Sequence, residues 1–382
     1  MRRGTLSTLA FALAAVLCLT AGLTFHTFAA AHPAPLTAAT ADLAPGKAQL
    51  QSAGRLAFGP DGILFVGDSV GASIVALDTN DRTPGSAAKL EVKGINAKIA
   101  SLLGTSADQI LINDVKVNPI SMKAYLSVSR GRGPDAMPVI VRVDAAGQLT
   151  ALSLDNVKHS SISLVDAPKN GTGSGFGGNP RMQTITDMAF VNGNVIVAGL
   201  SNEEWSSALR SIPFPFTQAA KGATVQIWHA SHGDFETEAP VRTFVPYTIQ
   251  NQPYILAAYT CTPLVKIPLS DLKPGAQVKG TTIADLGAGN RPLDMVPYQK
   301  GGHSFILIAN SSNGIQKLQA DNLASYKPIT SPEVMDTGGV PFQKISELKG
   351  VQHLAHLDDA NALVLMDGSS SGSLDLRAIA LP

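Results

Sequence analysis

Residues 55–78, RLAFGPDGILFVGDSVGASIVALD, decide the architecture of this chain. Leu56, Ala57 and Phe58 make a short apolar run. Gly59-Pro60-Asp61-Gly62 is a turn in which proline fixes one φ and glycine accepts a positive one. Ile63 to Val66 is a second apolar run, Asp68 to Ala72 turns again, and from Ser73 to Leu77 the residues Ile74 and Ala76 alternate with Val75 and Leu77. Strand, tight turn, strand, loop, strand is an antiparallel meander. It is one blade of a propeller if the chain repeats it.

The chain does repeat it. DVKV at Asp114, AYLSVS and VIVRVD at Val139 form a second copy, followed by a fourth strand, QLTALSL. DMAF at Asp187 leads through the Asn192-Gly193 hairpin turn to VIVAGL and, after a long insertion, to TVQIWHA at Thr224. TFVPY at Thr243, DMVPY at Asp294 and HLAHL at His353 open three further copies. The expected fold is therefore all-β: a six-bladed β-propeller of four-stranded antiparallel blades, closed by an N-terminal strand joining the C-terminal blade. Lys47 to Ser52 is the unassigned segment expected to supply that strand, which removes an exposed sheet edge. A helix is predicted at about Asn96 to Leu103, where Ile95, Ile99, Leu102 and Leu103 share one face.

Ahead of the repeats, Arg2 and Arg3 precede an apolar run from about Leu9 to Phe28, and Ala29-Ala30-Ala31 offers a cleavage site. Residues 1–31 read as a signal peptide, 32–46 as an Ala-, Pro- and Thr-rich linker, and 47–382 as the propeller. The expected location is secreted or periplasmic, with an uncleaved N-terminal anchor as the alternative. Of 29 basic and 29 acidic residues, Arg2 and Arg3 fall within 1–31, and the slightly acidic balance of the rest argues against nucleic acid or an anionic membrane as partner; a monomer is expected. With Cys18 inside the signal, Cys261 is left without a disulfide partner. No Cys-x-x-Cys-His attaches haem, and GTGSGFGG lacks the context of a phosphate-binding loop.

The loops before the first strand and between the second and third strands of each blade open on one face. That face is expected to gather Arg55, Asp114, Asp187, Asp294 and His353 from one set, and Asp68, Arg130, Cys261, Asn310 and Asp367 from the other. Arg55, Asp68, Asp114, Asp187, Asp294, Asn310, His353 and Asp367 are candidate ligand-binding residues at the channel mouth. Two readings of the aspartates stand side by side. In one, Asp114, Asp187, Asp294 and Asn310, with His353 nearby, hold a divalent cation, Ca, Mg or Mn, because converging carboxylates repel and hard oxygen donors suit those ions. In the other, each carboxylate accepts backbone amides of a neighbouring blade, and Arg55 neutralises the ring without a metal. Glu203, Glu204, Trp205, Phe214 and Phe216, in the insertion 201–221, form a lid or partner loop, or else cover the end of the third blade. Cys261 reads as a small buried apolar residue, with a reactive thiol or soft metal ligand as the alternative, and His229 and His232 as a solvated hairpin tip beside Asp234, Glu236 and Glu238, with metal binding there as the alternative.

LAFGPDGILFVGD and its later copies resemble the blades of secreted six-bladed propellers of the NHL, gluconolactonase (SMP-30-like) and YVTN type. Such propellers are binding platforms, scaffolds or metal-dependent hydrolases. Lactonase-type members contribute a glutamate from the first blade, where this chain has Arg55. The function expected is binding of a small molecule, glycan or partner protein on the insertion-bearing face. The alternative is a metal-dependent hydrolase of the lactonase or esterase kind, with its cation at the channel mouth.

Overall fold

The structure is a computed structural model, and it describes residues 1, 40, 42–86, 90–171, 178–261, 263–332, 337–346 and 348–382. Apart from Met1, the segment 1–31 read as a signal peptide lies outside the described residues, as does most of the glycine-rich stretch near residue 175. The described strands form six sheets, each an antiparallel blade of four strands at its centre. The meander at 55–78 is realised as Leu56–Phe58, Ile63–Asp68 and Ser73–Asp78, and the turn between the first two places Asp61 and Gly62 at positive φ. The inner strands of the other blades begin with Ile110–Val117, Asp187–Val191, Thr243–Ile249, Pro292–Lys300 and Val351–His356, matching the six repeats. The helix spans Ile95–Leu103.

The blades do not follow one another around the ring in chain order. Six apolar clusters fill the six interfaces, and each joins two named blades. Leu56 and Leu64 of the first blade pack with Tyr125 and Ile140 of the second, while Phe65 and Ile74 on the first blade's opposite face pack with Met188 and Val197 of the third. The third blade then meets the fourth, the fourth the fifth, and the fifth the sixth. Ile112, Val128 and Val141 of the second blade close the circle against Leu363 and Leu365 of the sixth. The spatial order is thus second, first, third, fourth, fifth, sixth.

A buried polar anchor explains the backward first step. The chain leaving the first blade carries Asp81, whose carboxylate accepts from Ser121 Oγ at 2.6 Å, Lys123 Nζ at 2.6 Å and Tyr125 Oη at 2.9 Å in the second blade's first hairpin. Burial opposes ionisation of Asp81, but these three donors outweigh it and hold its pKa below the usual carboxylate range.

An early strand does join the C-terminal blade, but it is not Lys47 to Ser52. Glu91–Val92, between the first and second blades, pairs with Leu374–Ala380 as the sixth blade's outer strand. The chain must pass that edge on its way to the second blade, which neighbours the sixth. Val157–Ser163, after the second blade, returns to be the first blade's outer strand, and the N-terminal strand Ala44–Gly46 adds outside it. The insertion 201–221 is a second correction. Ser207–Pro213 is the third strand of its blade and Ala223–His229 the fourth, so TVQIWHA lies one strand further out than its sequence suggests. Hydrophobic alternation reports a strand but not its rank within the blade.

Closure by Glu91–Val92 predicts that Glu91→Cys with Arg377→Cys, Cα partners in the ladder, forms a disulfide on mild oxidation in a Cys261→Ser background. Faster migration on non-reducing gels checks it, and absence of the cross-link in folded protein contradicts this pairing.

Candidate functional site

The six equivalent first-strand positions converge on one end of the channel. In spatial order they read Asp114, Arg55, Asp187, Thr243, Asp294, His353, so an acid alternates with a donor. Each acid serves the next blade in the same rotational sense. Asp114 Oδ2 accepts the backbone N–H of Leu56 at 2.8 Å, Asp187 Oδ2 that of Phe244 at 2.9 Å, and Asp294 Oδ2 that of Leu354 at 3.2 Å. The preceding side chain also donates: Arg55 Nη1 to Asp114 at 3.4 Å, Thr243 Oγ1 to Asp187 at 2.8 Å, and His353 Nδ1 to Asp294 at 3.0 Å. The ring is a threefold repetition of one blade-pair contact. Breaks in ladder register immediately before Asp114, Asp294 and His353 re-aim these residues.

Arg55 is set in place through its own backbone. Its carbonyl accepts from Gly67 N at 2.8 Å, and a Cβ at residue 67 would stand 2.8 Å from Ile185 Cγ2, so only glycine permits this approach. The guanidinium then reaches across the channel to Asp294 Oδ1 at 3.2 Å and the Leu293 carbonyl at 3.3 Å. Lys116, which sequence reasoning passed over, joins it: Nζ lies 3.5 Å from Asp294 Oδ1 and 3.7 Å from Asp114 Oδ1. Its signal was the i, i+2 spacing from Asp114, which puts both side chains on one face of a strand.

The electrostatics follow from this crowd. Burial disfavours the charged forms of Arg55 and Lys116, yet Asp294, Asp114 and Asp187 outweigh it and raise both pKa values. Burial pushes the Asp294 carboxyl up, while Lys116, Arg55 and the His353 hydrogen bond pull it further down, so it stays well below the usual range. For Asp187 burial wins over the attraction of Lys116 and Arg55, and its pKa is raised.

Among the described residues Asp114, Asp294 and His353 bring one ligand atom each within 4.8 Å of the others. Of the set expected from sequence, Asp187 and Asn310 lie outside this group. Asp187 is occupied by Met188 N, Phe244 N and Thr243, and Asn310 donates instead to the Ile308 carbonyl and to Gln316. The carboxylate oxygens that would hold a divalent ion already face a guanidinium and an ammonium. With two resident cations against three carboxylates, the donor set does not fit a further double charge.

The remaining sequence candidates lie apart from this ring. Asp68 accepts from Gln51 N, Ser52 N, Ser52 Oγ and Gly71 N, which fastens the segment before the first blade. Asp367 is exposed and accepts from Gln352. The segment read as a lid divides between the two ends of a strand. Glu203, Glu204 and Trp205 precede Ser207–Pro213, and Phe214 and Phe216 follow it, where they pack on Phe65 with ring centroids at 4.9 and 6.1 Å. Those two phenylalanines therefore cover core.

A second concavity lies where the third and fourth blades meet. A pocket of about 490 Å³ is lined by His229, His232, Phe235, Glu236, Glu238 and Cys261 among others. The hairpin that carries it is tied to the fourth blade by Thr282 Oγ1 to the Trp228 carbonyl at 2.6 Å. His232, Asp234, Phe235 and Glu238 are exposed, as the acidic sequence of a solvated tip suggests, but His229 at the base of the hairpin is only 2% exposed.

No protein-family model matches the chain, and no curated protein matches it. Among solved structures it is similar to a glucose dehydrogenase (12% identity, TM-score 0.38, covering 89% of this chain and 100% of that one). It is also similar to the PQQ-bound aldose sugar dehydrogenase of Streptomyces coelicolor (11%, 0.30, 88% and 97%) and to a GH43 endo-arabinanase of Bacillus licheniformis (12%, 0.38, 72% and 95%). At these scores the likeness carries nothing further about this chain.

Asp294→Asn strips Arg55 and Lys116 of a buried counter-charge and is expected to cost about 3 to 5 kcal/mol. Asp187→Asn, at a carboxyl whose charge burial already disfavours, should cost less; denaturant unfolding at pH 7 checks the order. Because the folded Asp294 pKa is depressed, its contribution is present above the unfolded carboxyl pKa of about 3.9 and is lost as pH falls toward the folded value. The Asp294→Asn deficit should therefore narrow in acid, and a deficit independent of pH contradicts the assignment.

Proposed function

We propose that this chain is an exported binding propeller that holds a small polar ligand, a glycan foremost, in the pocket between the third and fourth blades. The observation that carries this reading is the division of labour on the face where the first strands start. The channel carboxylates are consumed by backbone amides, Arg55 and Lys116, whereas at the pocket the buried Nε2 of His229 has no hydrogen-bond partner. Its volume of about 490 Å³ suits a small-molecule site, whose usual range is about 300–1,000 Å³. Phe235 is 58% exposed and is braced edge-to-face by Trp228, with ring centroids 5.0 Å apart. Phe235, Glu238 and Thr260 all line the pocket, so an aromatic surface and polar groups able to meet a sugar's hydroxyls occur in one concavity.

Of the propeller types the sequence resembles, this reading follows the binding platforms. A lactonase-type cation centre requires a carboxylate where Arg55 stands.

Calorimetric titration of the folded protein with a panel of neutral mono- and oligosaccharides tests the proposal. At least one should bind, roughly tenfold more weakly in Phe235→Ala and Glu238→Gln, which removes about 1.4 kcal/mol, and unchanged in Asp187→Asn. Binding that ignores both pocket substitutions, or no binding across the panel, overturns it. Hydrolysis of lactones or esters that vanishes in Asp294→Asn would favour the channel reading.

A further inference from the structure

His229 ends the strand Ala223–His229, and the turn that follows, closed by Gly233 N to the His229 carbonyl at 2.8 Å, folds His232 back over it until the ring centroids are 3.9 Å apart. Glu236, on the returning strand, meets both rings. Its Oε2 pairs with His229 Nδ1 at 2.7 Å and its Oε1 with His232 Nδ1. A carboxylate can only accept, so each Nδ1 carries a proton, and a neutral ring then has its lone pair on Nε2. His229 Nε2 is buried and has no hydrogen-bond partner. A buried acceptor left unmet costs about 1 to 3 kcal/mol, so its retention calls for an occupant.

Cys261 supplies the third donor from the fourth blade. It is a non-glycine residue at φ +60°, with its backbone N–H bonded to the Asn290 carbonyl at 2.7 Å. One ligand atom from each of His229, His232 and Cys261 lies within 4.8 Å of the other two. Tetrahedral bonds of about 2.0 to 2.3 Å set ligand atoms roughly 3.3 to 3.8 Å apart, so side-chain movement would close the three donors onto an ion.

We infer that His229, His232 and Cys261 form a binding site for a borderline transition-metal ion, zinc or copper in class, with Glu236 orienting both imidazoles and a fourth position open to the pocket. Two imidazoles and one thiolate are the wrong donors for calcium or magnesium and the right ones for these ions. The shared carboxylate is the outer partner that fixes tautomer and raises ligand basicity in such sites. Cys261 binds as thiolate, its proton going to solvent. The open position rests on the pocket reading above. The metal site itself does not, because it is read out with the ion alone.

The test is titration of the folded full chain with Zn²⁺, Cu²⁺ and Co²⁺, with Ca²⁺ as control. One equivalent of Zn²⁺ or Cu²⁺ should bind, and the Co²⁺ form should show a thiolate charge-transfer band in the near ultraviolet. Cys261→Ser should abolish that band, His232→Ala should lose the stoichiometric binding, and Glu236→Gln should weaken affinity by about 10- to 100-fold. Circular dichroism shows that each variant is folded. Cys261 and His232 are not core residues, so these variants keep the test decisive even if His229→Ala fails to fold. No stoichiometric binding, or binding with no charge-transfer band, overturns the site. A metal site that fails beside a sugar that still binds removes this inference and leaves the function proposed above.

Discussion

The structure depends on one contact made three times: a buried aspartate at the start of one inner strand, accepting the first backbone N–H groups of the inner strand beside it. The inner strand of every blade is a sheet edge, and its first amides have no ladder partner on the channel side. Satisfying them with an ionised acceptor gives hydrogen bonds worth about 1.5 to 3 kcal/mol each, more than neutral ones. Three buried negative charges then create their own demand. Arg55 and Lys116 meet it from the first and second blades, so the centre of the ring is an ion-pair network and not a vacant cation cage.

The unusual blade order is a condition of that arrangement. The three contacts run in one rotational sense because the second blade lies behind the first, between it and the sixth. In a ring wound in chain order, Asp114 and Asp187 would reach in opposite senses, toward the first and fourth blades from adjacent positions. Asp81 fixes the backward step from the opposite end of the strands, and the exchange of Glu91–Val92 and Val157–Ser163 between sheets makes that step part of the closure. The fourth strands of the first and last blades are thereby supplied by Val157–Ser163 and Glu91–Val92, from outside each blade's own meander, which covers edges otherwise open to pairing.

The two polar clusters near the channel face differ in how completely they are satisfied. In the channel ring the carboxylates of Asp114, Asp187 and Asp294 are met by backbone amides and by Arg55, Thr243, His353 and Lys116. In the hairpin at the third and fourth blades, Glu236 accepts one hydrogen bond from each histidine, and the buried Nε2 of His229 is left without a partner. Chemistry is available where the protein has left a group open, which is why the less regular of the two clusters carries the functional readings.

Six repeats, their strands and turns, and the helix at residue 95 were legible in the sequence, because the apolar period and the Gly, Pro and Asn positions that mark them are local properties. The gathering of Arg55, Asp114, Asp294 and His353 was legible too, since equivalent positions in a repeat must converge on an axis. Which copy neighbours which was not. That depends on whether Asp81 reaches forward or back and on which edge the two-residue strand Glu91–Val92 finds, and both are long-range pairings with no local pattern. For the same reason the sequence left the aspartates divided between metal ligation and amide capture, and placed Lys116 nowhere: a carboxylate's partner is decided by what packs within about 3 Å of it. His229, His232 and Cys261 come together only because a strand of the third blade continues past its own sheet and meets the rim of the fourth, a juxtaposition that tertiary packing alone creates.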